Sequence, residues 1–252
     1  VAGMSDGEVS IVEVKEIGEE PIVIAGLPDV GLVGLIAVFH LASKTDMEEV
    51  GFIESDLLPP VVVLHGGIPK PPFRILRSGR LVALISEIAI PASAVPKICR
   101  AIVEWVSKKK AKLLVTLGGI PVEERYKLDK PRVYATASSR EVVEDLKARG
   151  MEILDRGYLV GPYASMMRLA PLYGLTAVGL LAQSFFNYPD PDAAASVLEE
   201  LGKLVGLEID LVELREKGEE IRLAARDLMK RTEAELARMR KGQEYDIPPL
   251  HV

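Results

Sequence analysis

Short apolar runs closed by glycine turns alternate along this chain with helix-length amphipathic stripes, and that alternation limits the fold more than any other feature. Residues 22–25 form a continuous, β-branched run that stops at Gly26-Leu27-Pro28-Asp29. A run of this kind reads as a buried strand. A helix is predicted from about Val30 to Thr45, with Asp29 as its N-cap, because a carboxylate there accepts the free N–H groups of the first turn. Residues 61–64 read as another strand, closed by Gly66-Gly67-Ile68-Pro69. Residues 73–76 and 81–87 read as a hairpin around Ser78-Gly79.

The stripe Val95, Ile98, Cys99, Ile102, Val103 and Val106 recurs at spacings of three and four, so residues 96–108 read as a helix with one face to the core. Residues 113–117 read as a strand ending in Gly118-Gly119-Ile120-Pro121, and residues 132–137 as a further strand. Residues 139–149 form a helix that stops at Gly150, a residue suited to the left-handed position after a helix. Short strands are expected at residues 153–154 and 158–160, and a segment at 165–173 follows. Residues 175–186 fit either a buried strand or the start of a buried helix, and periodicity does not separate the two. Asp190-Pro191-Asp192 opens a helix to about Val205, with Asp190 as N-cap and Pro191 at the first helical position. The alternation predicts an α/β fold: a largely parallel mixed sheet flanked by helices, followed by a C-terminal helix and an extended tail. The expected organisation is an N-terminal extension or edge at 1–20, an α/β domain at 21–212, an amphipathic helix at 213–242 and a tail at 243–252.

In the C-terminal helix, Leu214, Ile221 and Leu228 lie seven apart, interleaved with Gly218, Ala225, Thr232 and Met239. Such a stripe either packs on its own domain or meets a second chain. An oligomer contact through Leu214, Ile221, Ala225 and Leu228 is the expectation. Beyond Gly242, Pro248-Pro249 disfavours helix and extends the tail.

Charge and composition bear on partners. The chain carries a formal net charge of -6, which gives no general attraction to nucleic acid or anionic lipid. Residues 22–42 are the longest apolar stretch, but Gly26, Pro28, Asp29, Gly31 and Gly34 interrupt it, so no membrane span is expected. The single cysteine, Cys99, forms no intramolecular disulfide and reads as a core residue. Together with the missing signal segment this points to the cytoplasm.

Tests for chemistry return little. Gly26, Gly31 and Gly34 have neither the dinucleotide spacing nor a following Lys-Ser/Thr. Their ordinary use is tight turning and close helix–sheet packing. His40, His65 and His251 match no zinc pattern, and no nucleophile elbow occurs. No cofactor and no catalytic residue is therefore assigned. Glu87 ends an apolar strand, where open α/β sheets place ligands; Glu123 and Glu124 stand at a similar strand end. The candidate crevice consists of Gly26, Pro28, Asp29, Glu87, Gly118 and Gly119.

Four ordered motifs carry a resemblance. They are Gly26-Leu27-Pro28-Asp29-Val30-Gly31-Leu32-Val33-Gly34; Leu117-Gly118-Gly119-Ile120-Pro121 with Pro131 to Ala137; Gly157 to Gly161 with Gly174-Leu175-Thr176-Ala177; and Pro189-Asp190-Pro191-Asp192. In this order they resemble the proteasome-assembly-chaperone family, in its archaeal form, over roughly residues 22–214. The resemblance implies a fold similar to purine nucleoside phosphorylases without their activity, self-association, and contact with the proteasome α-subunit ring or other protein clients. Some relatives dock by a C-terminal hydrophobic-Tyr-X tail. Here the corresponding residues are Leu250, His251 and Val252, with His in the Tyr position. The rival readings are a nucleoside or nucleotide hydrolase using Glu87 and the loop 118–125, and a small-molecule sensor on the same scaffold. A pocket lined by convergent polar groups favours the rivals; a filled crevice with an exposed apolar patch elsewhere favours a protein-binding chaperone or adaptor.

Overall fold

A nine-stranded sheet organises residues 8–239, the part of the chain that the computed structural model describes. Along the sequence the elements are β1 (Val9–Glu13), β2 (Ile22–Gly26), α1 (Val33–Lys44), β3 (Glu48–Ser55), β4 (Val63–His65), β5 (Ile68–Lys70), β6 (Phe73–Ser78), β7 (Leu81–Ser86) and α2 (Val95–Lys108). There follow β8 (Leu113–Pro121), β9 (Val133–Ala137), α3 (Arg140–Ala148), β10 (Glu152–Ile153), α4 (Pro162–Leu169), β11 (Ala177–Ser184), α5 (Pro191–Val205), α6 (Val212–Glu216) and α7 (Gly218–Arg238).

The sheet order is β1-β3-β6-β7-β2-β8-β11-β9-β10. Its centre, β7-β2-β8-β11, is parallel throughout. The β1, β3 and β6 wing is antiparallel, and β9 runs against β11. The expected α/β architecture with a mixed sheet flanked by helices is what the chain adopts. The N-terminal segment enters it as edge strand β1.

Side chains alternate across a strand, and here both faces are covered. Ile24, Ala83, Ile85, Val115, Leu117, Val178 and Leu180 face a core shared with α1, α5 and α7. Val23, Ala25, Val82, Leu84 and Leu114 face a second core under α2 and α4. Double burial explains why the central strands read as continuous apolar runs rather than alternating ones. It also settles residues 175–186: β11 lies between β8 and β9 and is a strand because strands occupy both its sides.

Several local signals are realised. Ser139 accepts a hydrogen bond from the Val142 N–H at the start of α3, Asp190 does the same for Ala193 on α5, and Gly150 takes φ +79° after α3. Two expectations are corrected. Asp29 makes no side-chain cap; Gly31, at φ +60°, breaks the helical path, and the chain enters α1 through a 3-10 turn at Val30–Leu32. Residues 158–160 form no strand.

The segment between β3 and β6 leaves the sheet. β4 and β5 form a separate two-stranded hairpin, Val63 opposite Lys70 and His65 opposite Ile68. No helix among the described residues is long and apolar enough to cross a membrane.

Candidate functional site

The carboxyl ends of β2, β8 and β11 are where an open α/β sheet offers its ligand crevice. In this chain that place is packed shut. A Cβ on Gly34 would overlap the Leu117 carbonyl, and one on Gly26 would overlap the Gly34 carbonyl and Val38. At Gly119 it would sit 2.6 Å from the Val30 carbonyl oxygen. At Gly118 it would sit 2.8 Å from the Tyr163 ring and 3.1 Å from Asp29 Oδ2. The glycines therefore bring α1, its 3-10 entry and the Tyr163 ring of α4 onto the strand ends, as close packing requires. Among the described residues, the space found there is a cavity of about 10 Å³ lined by Ala25, Leu27, Asp29, Leu117, Pro162, Tyr163 and Met166. That is room for one water at most.

Beside the crevice, a buried ion pair ties the loops after β8 and β11 together. Arg125 reaches Asp190 in bidentate fashion, Nε to Oδ2 at 2.7 Å and Nη2 to Oδ1 at 2.9 Å. Their side chains are 4% and 0% exposed. Arg125 also donates to the Leu128 carbonyl, and its guanidinium lies 5.2 Å from the centre of the Phe185 ring. Asp190 thus caps α5 and neutralises Arg125 with one carboxylate. Sequence reasoning found the cap and missed the cation, because the partners are 65 residues apart and no local spacing links them.

Glu87 does not line the crevice cavity. It is paired with Arg74 and with His65, whose Nε2 is 3.0 Å from Oε1. Arg74 extends 3.9 Å to Glu49, and Lys70 holds Glu49 at 3.0 Å. This network joins the hairpin to β3, β6 and the end of β7. Glu87 is therefore separated from Gly118 and Gly119 and engaged as an ion-pair partner; Glu124 is engaged by Lys127. Burial pushes the Cys99 thiol up to about 12, which leaves it protonated in the core. Among the described residues no group of His, Cys, Asp and Glu is placed to hold a metal ion.

Exposed apolar side chains such as Leu172, Leu223 and Val212 are scattered over the described residues, and four more lie close together in sequence on and beside the hairpin. Val62, Leu64 and Ile68 are 62%, 65% and 62% exposed, and Val61 is also exposed. Between the hairpin and β3 is an open cleft of about 760 Å³, lined by Phe52, Leu58, Pro59, Val62 and Pro71 among others.

Comparison with known proteins agrees with this arrangement. The model of the PAC2 family matches residues 23–229. The chain belongs to the PAC2 family. An uncharacterized protein of Methanocaldococcus jannaschii is 32% identical over 229 residues, 91% of this chain and 93% of that one. The crystal structure of Pyrococcus furiosus PbaA, described as an archaeal homolog of proteasome-assembly chaperone, superposes with a TM-score of 0.85 at 32% identity, covering 92% of this chain and all of that one. Pyrococcus furiosus PbaB, described as an archaeal proteasome activator, shares the fold at TM-score 0.75 and 24% identity, over 88% of this chain and 98% of its own. The resemblance carried by the four motifs is to the right family. The two solved relatives are described as a homolog of proteasome-assembly chaperone and as a proteasome activator.

Two sets of expected contact residues need placing on the PAC2 fold. Leu214 is 1% exposed and belongs to the chain's own core, so it offers nothing to a second chain. Ile221, Ala225 and Leu228 are half-buried against the same core, while Met229, Thr232 and Leu236 carry the buried side of α7. The helix stripe thus has a use within the fold. Leu250, His251 and Val252 lie outside the described residues.

Proposed function

We infer that this PAC2-family chain is a non-enzymatic, homo-oligomeric protein-binding chaperone or adaptor that acts in the cytoplasm and contacts the α-subunits of an archaeal-type proteasome. One observation carries the reading: the strand-end crevice retains about 10 Å³, while large aliphatic side chains stand exposed on the β4–β5 hairpin. A hydrolase or a small-molecule sensor needs a pocket with convergent polar groups. A chaperone needs accessible apolar surface, which a monomeric soluble domain otherwise hides. The 32% identity to the Pyrococcus furiosus PbaA chain, a described homolog of proteasome-assembly chaperone, supports the same class. The α-ring contact is assigned to Leu250, His251 and Val252, with imidazole in place of the phenol of the hydrophobic-Tyr-X tail.

The test is capture of purified archaeal proteasome α-subunits by the full chain. Native protein is expected to bind, deletion of residues 250–252 to reduce binding, and His251→Tyr to strengthen it. Binding unchanged by both variants would remove the tail from the account; no binding by any form would remove the α-subunits as partner.

A further inference from the structure

We propose that the open edge of β4 is a strand-addition site: an extended segment of a client protein pairs with residues 62–64 as a third strand of the hairpin, with a Lys or Arg at its carboxyl end over the rim of the cleft. The inference rests on the reading of the chain as a protein-binding module, and it names how one edge grips a client.

The two edges of the hairpin differ in their main chain. In an antiparallel pair, opposite residues alternate between those that exchange N–H···O bonds and those whose N–H and C=O point away from the partner strand. Val63 lies opposite Lys70, Leu64 opposite Pro69 and His65 opposite Ile68. Pro69 has no N–H to exchange, so the ladder bonds run through the pairs on either side of it. Gly66 and Gly67, at φ +59° and +82°, form the two-residue turn that closes the His65–Ile68 pair. The N–H and C=O of Leu64 therefore point outward, and the same alternation carried two residues back turns those of Val62 outward. On the other arm the outward positions fall to Pro69 and Pro71, which donate nothing. One edge is blocked by proline, a common guard on sheet edges; the other keeps its donors. Among the described residues no main-chain hydrogen bond outside the ladder engages Val62 or Leu64, and both residues are exposed.

Three features select an extended segment with a cationic end. First, the groups left open are main-chain donors and acceptors, which another main chain in extended form matches. Recognition through the main chain tolerates many sequences, as a client-binding module requires. Second, an isolated two-stranded hairpin is marginal and gains from a third strand. Leu64 and Pro69 share a face, with Val62 beside them, and this face bears no charge, so alternate apolar residues in the added strand gain cross-strand contact there. Third, the charge at one end is unanswered. Val61 and Val62, where β4 begins, line the cleft together with Glu54 and Asp56. Both carboxylates are exposed, and neither is in an ion pair among the described residues. Lys70, on the same lining, is held by Glu49 at 3.0 Å. A strand added antiparallel to β4 brings its carboxyl end to this rim, where a Lys or Arg complements the two carboxylates.

The experiment is fluorescence anisotropy of the full chain with a labelled peptide of alternating valine and threonine that ends in two lysines. Native protein is expected to bind it, and N-methylation of the peptide's pairing-side main-chain nitrogens to abolish binding. Leu64→Pro removes one outward N–H and leaves the hairpin's own ladder in place, so it is expected to weaken binding about 10-fold. Val62→Pro is the second such variant should the first fold poorly, with circular dichroism as the check. Leu64→Thr keeps the donor and is expected to bind within about threefold of native. The same peptide ending in two glutamates is expected to bind more weakly at low salt. No binding by native protein overturns the proposal, and so does binding that survives N-methylation, both proline variants or the exchange of lysine for glutamate. A chain that takes no peptide yet captures α-subunits would sink this inference alone. A chain that takes the peptide yet ignores α-subunits would sink the α-ring reading alone.

Discussion

Residues 66–69 and 118–121 are the same tetrapeptide, Gly-Gly-Ile-Pro, with opposite fates. In the first, the glycines take φ +59° and +82°, nothing lies within 4 Å of a Cβ built on either, and Ile68 stands in solvent. In the second, both glycines are walled in by Val30, Ser184 and Tyr163, and Ile120 is buried. The difference is made by the flanks. Residues 113–117 are an apolar run with strands on both sides, so the tetrapeptide continues a ladder with β11. Residues 59–72 carry five prolines, which remove ladder donors and hold the pairing to three residues per strand. One copy closes the crevice; the other lifts an apolar hairpin away from the body. The place where related architectures hold a ligand is used here for packing, and the surface able to engage a partner is elsewhere.

Perturbing the two regions should give unequal effects. The largest is expected beside the crevice. Arg125→Met strands the Asp190 carboxylate in a dry site, and removing one member of a buried pair costs about 3–5 kcal/mol. Gly34→Ala drives a methyl group into the Leu117 carbonyl and should cost about 3 kcal/mol, the upper end for overpacking. Leu64→Ser on the hairpin should change unfolding stability by no more than about 0.5 kcal/mol. Urea denaturation of the three variants, at a dilution where the chain is monomeric, checks the order. A Leu64 variant as unstable as the crevice variants would make the hairpin part of the core and break the contrast.

The smallest effect belongs to surface charge. Glu213 is held down to about 2 from its usual 4.5, first by Lys217 and then by Lys44. A carboxylate depressed on folding contributes stability above its unfolded value and loses it as pH falls through the folded one. The contribution of Glu213 is therefore present above about pH 4.5 and lost between there and about pH 2. Glu213→Gln should flatten the acid limb of the stability curve in that window. It should lower neutral-pH stability by the same amount as it flattens the acid limb, and that amount is small because exposed pairs are screened. An unchanged acid limb would mean that Lys44 and Lys217 do not hold this carboxylate in solution.

The comparison also explains what could be read from the sequence. Helices with periodic stripes and caps were legible: all six apolar residues of the 95–106 stripe are buried on α2, and Ser139 and Asp190 cap as their positions imply. Central strands were legible because double burial makes them continuous. β3 was not, since Glu48, Glu49, Gly51 and Glu54 interrupt it and its register shifts between Glu49 and Gly51. Asp29 has the right residue type for a cap, but Gly31 and Leu32 both take left-handed backbone between it and α1, so α1 starts after Leu32 instead. At the site, glycine positions were visible but not whether they admitted a ligand or a side chain. That was decided by Tyr163, which lies 45 residues beyond Gly118 in the chain. The exposure of Leu64 was invisible for the same reason: an apolar run does not reveal whether anything covers it.

The contrast between a packed crevice and an exposed hairpin is tested most directly by amide hydrogen exchange on the full chain. The account predicts fast exchange at residues 61–70, whose short ladder stands outside the nine-stranded sheet, and slow exchange at residues 26–34 and 117–121. Strand ends that exchange as fast as the hairpin would contradict it.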